Sequence, residues 1–173
     1  SHLAAQLLHV AQSRYGDIAE RVVLDLGCGA GVLSVGAALC EAAHVLAVDI
    51  DASALAMAAD NARTFHVSET IDFMLVDVLD LLPNRMSVNA VRKVDTVIMN
   101  PPFGTKRKGI DMAFLQVALT YATGAVYSLH KSSTRDYIDR KARNWGVRPE
   151  LVAQLRFDIP QMYSFHKLKA VAV

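Results

Sequence analysis

The chain has 173 residues, 53% of them hydrophobic, and a formal net charge of +1. That length closes one sizeable core and leaves no room for two ordinary domains, so a single domain over residues 1–173 is expected. The apolar runs stop well short of the roughly 18 residues of a membrane span, and the amino end lacks a signal-peptide layout, which excludes a secreted or membrane-spanning class and points to a soluble intracellular protein. Two cysteines, Cys28 and Cys40, show neither zinc-ligand spacing nor a disulfide framework, so neither a metal nor a disulfide is expected.

The near-zero net charge conceals two halves of opposite sign. Residues 1–99 carry six Lys and Arg against twelve Asp and Glu, whereas residues 100–173 carry twelve against five. A basic half suits a polyanionic partner such as a nucleic acid.

In chain order, Leu3, Leu7, Leu8, Val10 and Ala11 fall near helical spacing and predict an amphipathic helix that ends before Tyr15-Gly16-Asp17. Residues 22–26 read as a buried parallel strand. A glycine turn at Gly27, Gly29 and Gly31 follows, then a helix over 32–42. The glycines permit close approach of backbone to a ligand, and the helix amino end offers unpaired N–H groups. The spacing is G-x-G-x-G, with Val32 where a dinucleotide fingerprint has its third glycine, which disfavours a pyrophosphate cradle. A second strand over 45–49 ends at Asp49, a carboxylate at a strand tip that suits a ribose diol. Asp51, two residues later, is a helix N-cap candidate for residues 51–65. A third strand over 71–76 ends at Asp77 and Val78.

Residues 94–99 form a fourth β-branched run that stops at Asn100-Pro101-Pro102-Phe103. Proline cannot donate to a ladder and holds its predecessor extended, so the tetrapeptide caps the strand's carboxyl end, where open α/β sheets bind ligands. Asn100 Oδ1 and the Pro101 carbonyl can each accept a hydrogen of a planar amine, and Phe103 can stack on its ring. The glycine-flanked loop that follows holds Lys106, Arg107 and Lys108, suited to phosphates. A helix is predicted over 111–122 and a fifth strand over 125–129 that delivers His130 and Lys131. A further basic helix, capped by Ser132 or Ser133, runs to Trp145. A sixth strand is expected over 151–157. A stretch over 160–167 then interleaves aromatics with His166 and Lys167, a layout suited to single-stranded RNA. Residues 168–173 start a last strand.

The motif at 100–103 resembles that of the class I S-adenosylmethionine-dependent methyltransferases that modify exocyclic or amide nitrogens. Residues 97–106 and 125–134 more narrowly resemble the methyltransferase-like protein five family of eukaryotic small-subunit rRNA adenine-N6 methyltransferases. The resemblance runs over nearly the whole chain. It implies a doubly wound, Rossmann-like, mostly parallel seven-stranded α/β sheet, here trimmed at both ends. It implies S-adenosylmethionine held by Asp25, Gly27, Gly29, Ala30, Val32, Asp49, Asp77 and Val78, with Asp49 on the ribose and Asp77 on the adenine amine. Catalysis falls to Asn100, Pro101, Pro102 and Phe103, and RNA contact to Lys106, Arg107, Lys108, Lys131, His166 and Lys167. It further implies a small zinc-containing activator subunit, docked on an edge strand at 71–76, and a nuclear and cytoplasmic location. Competing readings are methylation of a protein glutamine amide, a cofactor-binding scaffold without turnover, and a nicotinamide dehydrogenase. Charge opposes the first, the intact motif the second and the glycine spacing the third.

Overall fold

β1 (Val22–Leu26) is the central strand of a five-stranded parallel sheet. The computed structural model describes residues 2–82, 92–102 and 109–154, and the backbone alone of 156–158 and 170–172. β2 (His44–Asp49) and β3 (Ile71–Leu75) lie on one side of β1, and β4 (Val94–Met99) and β5 (Ala122–Ser128) on the other, in the order β3-β2-β1-β4-β5. Val23, Leu24 and Leu26 of β1 and Val97, Ile98 and Met99 of β4 are completely buried, because helices cover both faces of a parallel sheet and leave no polar side to alternate with. Among the described residues no helix is long and apolar enough to cross a membrane.

Helices α1 (His2–Ser13), α2 (Val32–Leu39), α3 (Ala52–Thr64) and α4 (Ile110–Tyr121) surround the sheet within one compact unit, Ser1–Ser128. α1 is bound to α2 by close approach at Gly36, where an added Cβ would overlap Leu8 Cδ1. Gly36→Val should therefore overpack this contact and cost about 1–3 kcal/mol. The check is a lower urea midpoint with an unchanged slope. The connection from α1 to β1 is fixed by Gln12, whose side-chain oxygen accepts from the Ile18 and Ala19 amides at 3.2 and 2.9 Å. It is also tied to the sheet through Asp17, whose carbonyl accepts from Thr96 Oγ1 at 2.7 Å and whose carboxylate accepts from Tyr127 at 2.6 Å.

Residues Leu129–Val173 form a second compact unit with α5 (Arg135–Asn144) and an antiparallel pair, β6 (Arg156–Asp158) and β7 (Ala170–Ala172). Seven strands are thus described, but five share one sheet and two form their own pair. The expected strand over 151–157 is displaced, since 151–154 have no regular structure. The fifth strand starts three residues earlier than expected, directly after α4. Tyr121 ends that helix buried, its hydroxyl donating to the Leu81 carbonyl at 3.2 Å. Neither Ser132 nor Ser133 caps α5. They lie in a 3-10 turn closed by Thr134, whose hydroxyl donates to the Lys131 carbonyl at 2.8 Å.

Candidate active site

Register brings the carboxyl ends of the strands into line. Leu26 pairs with Val48 on one side and Met99 on the other, and Asp49 pairs with Leu75. The residues that follow these positions, Gly27, Ile50, Val76 with Asp77, and Asn100, therefore leave the same rim of the sheet. The chain runs outward from β1 through β2 to β3, then returns to the other side at β4, so the topological switch point lies between β1 and β4. Open α/β sheets bind ligands in the crevice at that point. Gly27 and Asn100 flank it.

The turn after β1 is built from backbone. The Gly27 and Cys28 amides both donate to the Val48 carbonyl, at 2.9 and 3.0 Å, and the Gly31 amide closes on the Cys28 carbonyl at 2.9 Å. Gly27 and Gly31 have φ of 71° and 77°, a left-handed conformation that disfavours side chains. An added Cβ would also sit 2.8 Å from Phe114 at Gly27 and 2.9 Å from Ala58 at Gly31. Ala30 is half-buried, and its carbonyl accepts from Asn61 Nδ2 at 2.9 Å. Val32 is 48% exposed at the start of α2.

Two carboxylates lie against the turn, in opposite environments. Asp49 is half-buried and already accepts from the Gly29 amide at 2.8 Å and the Asp51 amide at 2.9 Å, so it locks the turn to the tip of β2. Asp25 is wholly buried. Its Oδ2 accepts from Ser34 Oγ at 2.5 Å, while Oδ1 has no partner among the described residues. Burial pushes Asp25 up to about 7, against the downward pull of the Ser34 hydroxyl and with a further push from Asp49. Burial also raises the Cys28 thiol to about 12, with Asp25 and Asp49 adding to the effect, so this cysteine stays protonated and is no nucleophile.

Asp51 caps α3 as expected, accepting from the Ser53 and Ala54 amides at 2.8 and 3.4 Å. The Ser53 hydroxyl and then these amides hold its carboxyl below the usual range. Asp77 is half-buried and accepts from the Leu79 amide at 2.8 Å, capping a 3-10 turn over Val78–Leu81. Val78 is only 3% exposed and belongs to the core, so it offers little side-chain surface to a ring. Asn100 is exposed, Pro101 buried and Pro102 exposed.

Phe103, Lys106, Arg107, Lys108, His166 and Lys167 lie outside the described residues. Lys131 is half-buried in the second unit. Three residues of this site were not singled out from the sequence. Ile50 is 66% exposed directly after Asp49, an apolar side chain on the binding rim. Ser34 and Asn61 bond to Asp25 and to the turn across nine and 31 positions. The signal for Ile50 was its place after a strand-tip acid, whereas a serine or asparagine inside a helix carries no comparable mark.

A switch-point crevice with a glycine turn, a strand-tip carboxylate beside an apolar side chain, and an amide acceptor opposite marks the chain as a Rossmann-like α/β domain with its ligand site at this rim. Residues 3–126 match the model of the methyltransferase small domain. The chain is 47% identical to the rRNA N(6)-adenosine-methyltransferase METTL5 of Danio rerio, over 99% of this chain and 81% of that protein. It is 44% identical to Drosophila melanogaster Mettl5 over 98% and 78%. A crystal structure of a candidate RNA methyltransferase from Pyrococcus horikoshii superposes with a TM-score of 0.81 at 34% identity, over 98% of this chain and 79% of that one. The chain belongs to the METTL5 family of methyltransferases, and its methyl donor is S-adenosylmethionine.

The residues present fit that donor. The unpartnered, buried Asp25 Oδ1 calls for a cationic or donating group, which an amino-acid ammonium supplies. Asp49 keeps lone pairs for a ribose diol beyond those used by Gly29 and Asp51. The rim also offers Ile50 to a flat base.

Proposed function

We propose that this chain methylates N6 of an adenosine in small-subunit ribosomal RNA, with Asn100 and Pro101 as the acceptors that hold the reacting amine. The observation that carries this reading is Asn100 itself, exposed at the tip of a buried strand, beside a buried proline and across the switch point from the glycine turn. When bound, S-adenosylmethionine supplies a methyl group on a sulfonium, whose carbon–sulfur bond breaks as the carbon–nitrogen bond forms.

An adenine amine is a weak nucleophile because its lone pair is delocalised into the ring. Asn100 Oδ1 and the Pro101 carbonyl each accept one amino hydrogen, which frees the lone pair and stabilises the positive charge that develops on nitrogen. The surplus proton then leaves to water, and no titrating base is needed. In this reading Phe103 stacks on the flipped base. Asp25, Gly27, Gly29, Ala30, Val32, Asp49, Asp77 and Ile50 hold the donor. Lys106, Arg107, Lys108, Lys131, His166 and Lys167 bind RNA phosphates and bases. The excess of cations in residues 100–173 supports a polyanionic acceptor. A location in the nucleus and cytoplasm is part of the same proposal. The test is methyl transfer from labelled donor to RNA, protein and DNA in parallel. Label is expected on RNA adenine N6, and label in protein instead would overturn the reading.

A small zinc-containing activator, paired with β3 by strand addition, is the second part of the proposal. β3 is the terminal strand of the five-stranded sheet, and its outer backbone groups are a template for another strand. Leu75 on it is 59% exposed, whereas Asp72 is engaged by His44 at 3.1 Å. Leu75→Asp should weaken the complex tenfold or more in a coexpression or titration assay. An unchanged affinity in the folded variant would place the partner elsewhere.

A further inference from the structure

We propose that Ser34 is a positioning residue for the cofactor: its hydroxyl pins one oxygen of Asp25 so that the other remains free, as an anion, for the ammonium of the donor's methionine moiety. The two side chains come from different elements, β1 and α2, and both are wholly buried. The hydroxyl donates at 2.5 Å to Oδ2, and Oδ1 is left in the interior without a partner among the described residues. A buried carboxyl oxygen in that condition is costly unless a ligand completes it.

Among the described residues the surroundings supply no such group. β2 and β4 flank Asp25 with Ala47 and Ile98, and α4 contributes Phe114 at Gly27. The titratable groups acting on it are Asp49 at the tip of β2, which repels it, and the protonated Cys28 thiol of the turn. No cation stands among the described ones. Burial, with a smaller push from Asp49, raises Asp25 to about 7 against the Ser34 hydroxyl, the largest opposing influence, and the Ser34 backbone amide. An ammonium binds the ionised form, so affinity falls as pH drops through the Asp25 pKa. Losing the Ser34 hydroxyl raises that pKa and moves the acid limb upward.

The experiment is calorimetric titration from about pH 5.5 to 8.5 with two probes. S-adenosylhomocysteine carries the amino-acid moiety, and 5′-methylthioadenosine lacks it. For Ser34→Ala, the acid limb with S-adenosylhomocysteine should rise by about half to one pH unit, a loss of roughly three- to tenfold in affinity on that limb. Any alkaline limb, set by the ligand's own amine, should not move. Methylthioadenosine should bind both proteins alike at every pH. Ser34→Thr, which keeps the hydroxyl, should restore the limb. Asp25→Asn should abolish the limb and weaken S-adenosylhomocysteine while raising the melting temperature of the ligand-free protein above pH 7. The sign follows from a folded pKa above the unfolded one, which penalises the native carboxylate at alkaline pH. If Ser34→Ala fails to fold, Ser34→Cys, a much weaker donor of similar size, carries the same comparison. An unmoved limb, or equal weakening of both probes, would overturn the proposal and leave Ser34 a packing residue.

Discussion

Asn100→Ala should slow single-turnover methyl transfer by about 10²–10³ while S-adenosylhomocysteine binds within about twofold of the parent. The size follows from what the side chain does in the proposed chemistry. Its oxygen is one of two acceptors for the amino hydrogens, and it becomes more valuable as the nitrogen gains positive charge, so its loss falls on the transition state more than on the ground state. The fold should not suffer, because Asn100 is exposed and β4 is held by Val97, Ile98 and Met99, all fully buried. Rapid-quench measurement with saturating RNA separates this effect from product release. A rate within twofold of the parent would show that the amine is held elsewhere.

Asp49→Ala should weaken S-adenosylhomocysteine by a hundredfold or more, a larger loss than two ribose hydrogen bonds of about 1.5–3 kcal/mol each, at most, need supply alone. The carboxylate has a second task, because it accepts the Gly29 amide at 2.8 Å and the Asp51 amide at 2.9 Å and so joins the turn after β1 to the start of α3. Alanine leaves both amides without that acceptor, and the turn loses its anchor as the ligand loses its diol partner. Asp49→Asn separates the two tasks, since its amide oxygen can still accept one of the backbone donors. Its affinity should lie between alanine and parent. Calorimetry on folded variants checks this order, and an unchanged affinity in Asp49→Ala would remove Asp49 from the site.

Much of the site was legible because its residues obey local rules. Two prolines after a β-branched run can only end a strand, and three closely spaced glycines after another can only turn. An aspartate before a helical run caps it, as Asp51 does through the Ser53 amide at 2.8 Å. The partners of these groups were less visible. Ser34 and Asn61 look like ordinary polar residues within α2 and α3, yet one binds Asp25 and the other holds the Ala30 carbonyl at 2.9 Å. Val78, which the resemblance sets beside the cofactor ring, is almost wholly buried, because the 3-10 turn capped by Asp77 directs Val78, Leu79 and Leu81 into the core.

By itself the sequence determined the alternation of strands and helices, the glycine turn, the strand-tip acids and the Asn-Pro-Pro turn, since each depends on steric preferences and periodicity within a few neighbouring residues. Only the tertiary structure decided the strand order, the switch point between β1 and β4, the separation of five strands from the last two, and the contrast between Asp25 and Asp49. Those features depend on parallel register and burial across the sheet. Two aspartates that look alike in the chain become an amide-bonded anchor and a desolvated carboxyl with one oxygen unpaired among the described residues because packing, which no local pattern encodes, assigns them different surroundings.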